Sequence, residues 1–173
     1  RSALPVNALG EIAKKYIPMA PMLMKLINLR SGVESRLKAL IEPTVKRAQA
    51  WAAKQSTDTM TTFNDVVYIS TTRGVDPSKL RSAYLDTKGN SKTDKSGNKL
   101  VDTWDELQPK WNSLEKNGGQ TTYIQMRDAY KKLQDEIGKI LEKRINEEFG
   151  NDAEKAKAAN TLLQKLFKER GNI

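Results

Sequence analysis

Between residues 126 and 149 the apolar side chains fall where only one regular structure can use them. Met126, Tyr130, Leu133, Ile137 and Ile140 are spaced by four, three, four and three residues, and Leu141, Ile145 and Phe149 continue by fours. A strand, alternating faces at every residue, would scatter them over both sides. An α-helix gathers them into one stripe. The pair Thr122…Gln125 reads as a capping box at its start. Asp135–Lys139 and Lys143–Glu147 set opposite charges one turn apart, each worth on the order of a few tenths of a kcal/mol. The spacing predicts a helix over 122–149, roughly 40 Å long, stopped by Gly150-Asn151. Asp152 then caps a last helix that buries Ala156, Ala159, Leu163 and Leu166. So short a turn makes the two helices an antiparallel hairpin, with Tyr130, Leu133, Ile137 and Ile140 as the seam.

The same spacing runs through the first half. From Met22 to about Ala53, Val33, Leu37, Leu40, Ile41, Ala48 and Trp51 recur at helical steps, with Pro43 inside the pattern as a kink or a junction of two helices. A shorter helical pattern, VNALGEIAKKYI, precedes it and is set off by Pro18 and Pro21. Residues 59–73 are harder, because their threonines, valines and isoleucine favour strand locally. Met60, Phe63 and Val67 nevertheless keep helical spacing, Asp58 can cap the start, and Gly74 can close the end. The expectation is helix. Asp76-Pro77 then reads as a fresh cap with a first-turn proline. Residues 87–99 hold no apolar side chain and read as a flexible polar loop or a hairpin tip. Beyond it, a Thr103…Glu106 capping box opens a helix that Pro109 kinks or restarts and Gly118-Gly119 ends.

Composition closes off much of catalysis. The chain has neither histidine nor cysteine, which removes imidazole bases, Ser-His-Asp triads, thiolate nucleophiles, and histidine or cysteine metal sites. Asp105–Glu106, Asp135–Glu136 and Glu147–Glu148 could suggest paired carboxylates. Neighbours on a helix point about 100° apart and do not face one gap. The loop GNSKTDKSGNK lacks the Gly-Lys-Ser/Thr ending and the preceding strand of a phosphate cradle. The expectation is a chain that is not an enzyme and needs no cofactor or metal. No run approaches the roughly 18 apolar residues of a membrane span, and no secretory signal is visible. The chain begins with Arg1, which reads as a piece of a longer polypeptide.

The net charge of +9 is unevenly placed. Residues 1–50 hold nine basic and three acidic side chains, whereas 101–150 hold eight and ten. The basic first third suits either an anionic partner or the acidic segment of its own chain. Lys25, Arg36 and Arg47 lie eleven residues apart, within roughly 40° of one another on an unbroken helix, and Lys54 would join them. Such an edge can track phosphates or be an ordinary solvated flank. The lysines of the loop, Lys92, Lys95 and Lys99, form a rival contact. Trp51, Trp104 and Trp111, with Tyr16, Tyr68, Tyr84, Tyr123 and Tyr130, read as core rather than a ligand box. Met19, Met22 and Met24 suit a partner surface or burial against a longer parent.

Two stretches resemble known sequence. VVYISTTRGVDPSK is similar to a recurrent helix-then-GVDPS element through Gly74, Val75, Asp76 and Pro77. The stretch WDELQPKWNSLEKNGGQTTYIQMRDAYKKLQDEIGKIL is similar to the segment C-terminal to that element, a turn and then a long helix, through Asp105, Leu107, Tyr123, Arg127, Asp128 and Tyr130. Together, over about 60–145, they resemble helical regions in the very large polyvalent proteins of tailed bacteriophages, which are packaged in the capsid and ejected with the DNA. The resemblance implies a structural or ejection role carried in the virion and then into the infected bacterium. Its partners would be the rest of a larger parent or other virion proteins. It implies no catalytic residue here.

These readings combine into an all-α fold: an irregular multi-helix bundle with a long C-terminal helical hairpin and one flexible polar loop. Its parts are basic N-terminal helices over 1–86, the loop 87–99 and the hairpin region 100–173, within a single domain. The expected function is a non-enzymatic structural or assembly module of a phage virion protein. The alternative is a helical protein that binds nucleic acid without regard to sequence.

Overall fold

A computed structural model describes residues 33–148, 150–154, 157–158 and 161. Those residues form four long helices and no sheet: α1 (Val33–Ala52), α2 (Thr57–Arg73), α3 (Leu100–Ser113) and α4 (Gly119–Glu148), with a 3-10 turn at Arg81–Tyr84. The fold is all-α. The N-terminal helical pattern, the methionines near Pro18 and Pro21, Lys25, Tyr16 and the apolar face of the last helix lie outside the described residues. The chain divides into two compact units, residues 47–125 and residues 1–46 with 126–171, so the loop 87–99 lies inside one unit rather than between two halves.

In the unit of residues 47–125, α2 packs on α3, and α3 also meets the 3-10 turn. Phe63, Val66 and Val67 of α2 and Val101, Leu107 and Trp111 of α3 are buried. Helix wins over local strand preference in α2 because it puts those apolar residues on one face and still satisfies the threonines. Thr61, Thr71 and Thr72 donate their hydroxyls to the carbonyls of Thr57, Val67 and Tyr68, four residues back. Its cap is Ser56 rather than Asp58: Ser56 is extended, and its Oγ accepts from the Thr59 N–H. Asp58 sits instead in the first turn, where a carboxylate complements the positive end of the helix. Trp51 stacks at a tilt on Phe63, with ring centroids 4.9 Å apart. Its indole N–H donates to the Asn117 carbonyl at 2.6 Å. Trp111 meets Tyr123 edge to face at 5.3 Å.

The capping boxes read from the sequence are not the ones used. α3 begins at Leu100, and Thr103 is buried within it. The exposed amides of its first turn are met by the loop instead: Leu100 N–H donates to the Lys92 carbonyl and Val101 N–H to Ser91 Oγ. α4 begins at Gly119, whose N–H is shared by the Leu114 carbonyl and Asn117 Oδ1, and Thr122 donates back to the Gly118 carbonyl. Pro43 and Pro109 lie inside α1 and α3 without ending either. Each removes one backbone bond, which these helices absorb.

In the other unit, Leu37 of α1 and Met126, Ala129, Leu133, Ile137 and Leu141 of α4 are buried. Tyr130 and Ile140, expected at the centre of the seam, are half-buried at its edges. A repeat of 3.5 residues drifts round a helix of 3.6, and the buried row here moves by steps of three and then four. Lys139 pairs with Glu136 at 3.5 Å.

Candidate functional site

The most elaborately built part of the described chain runs from the end of α2 to the start of α3. Gly74 closes α2 with a left-handed backbone, φ 68°, and the amides of Gly74 and Val75 both donate to the Ser70 carbonyl. A Cβ at that angle is strained, which is why glycine stands there. Val75 and Asp76 are completely buried. Asp76 begins no helix: its Oδ1 accepts from the Ser78 amide at 2.9 Å and the Ser78 hydroxyl at 2.7 Å, folding a local turn. The buried Asp76 N–H donates to the Tyr84 hydroxyl at 2.6 Å. Trp104 holds the next stretch by donating to the Lys79 carbonyl at 2.9 Å, and Gln108 donates to that of Pro77.

The polar segment after this corner is two copies of one turn. Asp86-Thr87-Lys88-Gly89-Asn90 and Asp94-Lys95-Ser96-Gly97-Asn98 share the pattern D-x-x-G-N, eight residues apart. In each, aspartate Oδ1 accepts two backbone amides, from Lys88 and Asn90 in the first and from Ser96 and Asn98 in the second. In each, the aspartate N–H donates to the asparagine carbonyl and the glycine N–H to the aspartate carbonyl. Gly89 and Gly97 both have φ 81°. Antiparallel bridges Leu85–Ser91 and Thr93–Lys99 close the two turns. Lys92 ties them to the corner: its N–H donates to the Tyr84 carbonyl and its Nζ to that of Ala83. The segment is a fully polar, mostly exposed loop, as its composition predicts, with a backbone specified almost residue by residue.

Charge is placed by this geometry. Residues 79–99 carry six basic and two acidic side chains, a net +4. The whole of 47–125 carries eleven and nine, a net +2. The two acidic groups are committed to the turns. The Asn98 amide holds the Asp94 carboxyl below the ordinary carboxylate range, against some desolvation, helped by the Asn98 side chain, the Ser96 amide and the charge of Arg73. Arg81 is spent on Asp105 in a two-pronged pair at 2.9 and 3.1 Å, which lowers the Asp105 carboxyl in turn. Arg73 pairs with Glu106 at 2.6 Å, so Asp105 and Glu106 turn to different arginines. Lys79, Lys88 and Lys99 are exposed and make no side-chain hydrogen bond or ion pair among the described residues.

Of the basic edge read from the sequence, Arg36 and Arg47 are exposed on α1, and Lys54 is exposed in the turn after it, off the helix. Arg36 belongs to one unit, Arg47 and Lys54 to the other. Lys25 lies outside the described residues. The three tryptophans are each taken up by packing or a backbone carbonyl. A hollow of about 460 Å³ on α4 is shallow, open and lined by Lys139, Glu142, Lys143, Asn146 and Glu147. Sequence reasoning missed Lys79 and the doubled turn. The signal was visible in the repeat of Asp86, Gly89 and Asn90 as Asp94, Gly97 and Asn98.

A family model described as large polyvalent protein associated domain 39 matches residues 2–172. The chain belongs to that family. No curated protein and no solved structure matches it. In this large polyvalent protein associated domain, several of the positions that carry the phage-protein resemblance make the fold. Gly74 closes α2, Val75, Asp76, Leu107 and Tyr123 are buried, and Arg127 pairs with its neighbour Asp128. No helix among the described residues of the domain is long and apolar enough to cross a membrane.

Proposed function

We propose that the chain is a non-enzymatic helical module that serves the structure or assembly of a large phage protein carried in the virion and ejected with the genome. The observation that carries this reading is where the family-like residues sit. Val75, Asp76, Leu107 and Tyr123 are spent on the core and its corner, so what the resemblance preserves is a shape, and a shape serves neighbouring segments of a parent. The family's association with phage supports the setting. The test is to replace residues 33–148 in the parent gene by a flexible linker and track the parent by mass spectrometry in purified virions and in infected cells. Loss from the virion, or packaging without delivery, is expected. Normal packaging, delivery and infectivity would remove the reading.

A second reading, binding to nucleic acid without regard to sequence, is favoured by one feature: residues 86–99 carry four lysines against two aspartates on an exposed loop.

A further inference from the structure

We propose that the tandem turns of residues 86–98, with Lys99 directly after them and the exposed Lys79 earlier in the chain, are a preformed contact for the phosphate backbone of a nucleic acid, holding it without reading bases. This rests on the nucleic-acid reading and names the surface that would carry it.

Three properties converge. The positive charge of the unit is focused here, because outside 79–99 the rest of residues 47–125 carries five basic and seven acidic side chains. Asp86 and Asp94 keep their charge, each accepting two backbone amides, and the four lysines of residues 86–99 outnumber them. The loop is also held before any ligand arrives, by the two turns, the two bridges and the Lys92 contacts to Ala83 and Tyr84. A contact already in place loses less entropy on binding than a floppy basic tail.

The chemistry of the surface selects the partner. Leu80, beside Lys79, is exposed, but residues 86–99 contain no apolar or aromatic side chain. They offer nothing to insert into a bilayer, nothing to stack on bases, and no anchor of the kind that dominates protein interfaces. Ammonium, hydroxyl and amide donors are what phosphate and sugar contacts use, and such contacts carry no sequence information.

The test titrates labelled duplex DNA of mixed sequence with the whole chain at several salt concentrations. Three variants accompany it, each checked for helical content by circular dichroism: Lys79→Gln with Lys88→Gln and Lys99→Gln; Gly89→Ala with Gly97→Ala; and Lys25→Gln with Arg36→Gln and Arg47→Gln. Each neutralised phosphate contributes about 0.9 to the logarithmic salt slope, so the loop-lysine variant should lose up to about three units. The glycine variant keeps every charge and breaks the turn geometry, and should bind several-fold more weakly at about 100 mM salt, within the range where such contacts are salt-sensitive. Undiminished binding by the glycine variant would overturn the preformed contact. If the loop-lysine variant binds normally while the Lys25, Arg36 and Arg47 variant loses its slope, the loop proposal fails and the nucleic-acid reading survives on those three residues. Absence of binding by the unaltered chain even at about 50 mM salt would remove both. Tighter binding to vesicles rich in phosphatidylserine than to DNA at equal salt would assign the lysines to a membrane surface and overturn the proposal.

Discussion

Tyr84 closes the corner after α2 with a single oxygen, accepting from the buried Asp76 N–H and standing 3.3 Å from the Asp76 carbonyl as donor. Removing that oxygen leaves a backbone donor with no water to turn to, the costly kind of loss. Tyr84→Phe should therefore destabilise the chain by about 1–3 kcal/mol in urea unfolding. No change would mean that the Asp76 N–H finds another acceptor. Ser70 poses the opposite case. Its carbonyl serves two amides, yet its completely buried hydroxyl has no partner among the described residues. Ser70→Ala should cost less than about 0.5 kcal/mol or stabilise, since it deletes an unsatisfied polar group. A loss above about 1 kcal/mol would show that the hydroxyl is bonded. Half of this corner is legible in the sequence. Gly74 announces a left-handed close by being glycine after a helical pattern. Tyr84 gives no such sign, because its partner is a main-chain amide eight residues away, and any residue supplies one.

The elements show where local reading succeeds and where it stops. The spacing alone predicts α4, and Leu133 and Ile137 are buried as expected. Leu133→Ala and Ile137→Ala should each cost about 2–5 kcal/mol, with less for truncating the half-buried Ile140. Equal losses at all three would put the seam where the sequence alone places it. Sequence misplaces the helix starts because capping signatures assume that the cap is a neighbour in sequence. α3 takes its first acceptors from Ser91 and Lys92, across the loop. The tandem turns show in the sequence only as polar composition, because their order comes from hydrogen bonds to two aspartates rather than from burial. That order has a pH signature. The folded Asp94 carboxyl titrates lower than in the unfolded chain, so its stabilising contribution is present above the ordinary aspartate value and is lost as pH falls through the folded value. The Ser96 and Asn98 amide resonances should hold their native shifts down past about pH 3.9, the unperturbed aspartate value, and then move together. Asp94→Asn should abolish that step. A midpoint at or above the unperturbed value would mean that the carboxylate is not held.

At the scale of the molecule, spacing is enough for an all-α fold, and the caps and core positions are enough to suggest the family. The division of the chain is not legible. The polar stretch 87–99 is anchored at both ends to one core, through Tyr84 before it and Val101 after it. The division into the two units falls inside α1 and α4, where the sequence runs on in one helical pattern. This arrangement makes one unit continuous in sequence and the other discontinuous. The continuous unit, residues 47–125, has its own core in Phe63, Val66, Val67, Val75, Leu107, Trp111 and Leu114, with Trp51 bonded to Asn117 to close its two ends together. A segment of that size is small for independent folding, but the Trp51–Asn117 bond gives its two ends a native contact of their own. Residues 47–125 expressed alone should give a helical circular dichroism spectrum and a cooperative thermal transition. Trp51→Phe, which deletes the indole N–H that joins the ends, should lower that transition more in the excised segment than in the whole chain, where α1 and α4 extend past the cut. A featureless melt of the excised segment would show that its core depends on residues 1–46 and 126–173, and that the two units fold as one.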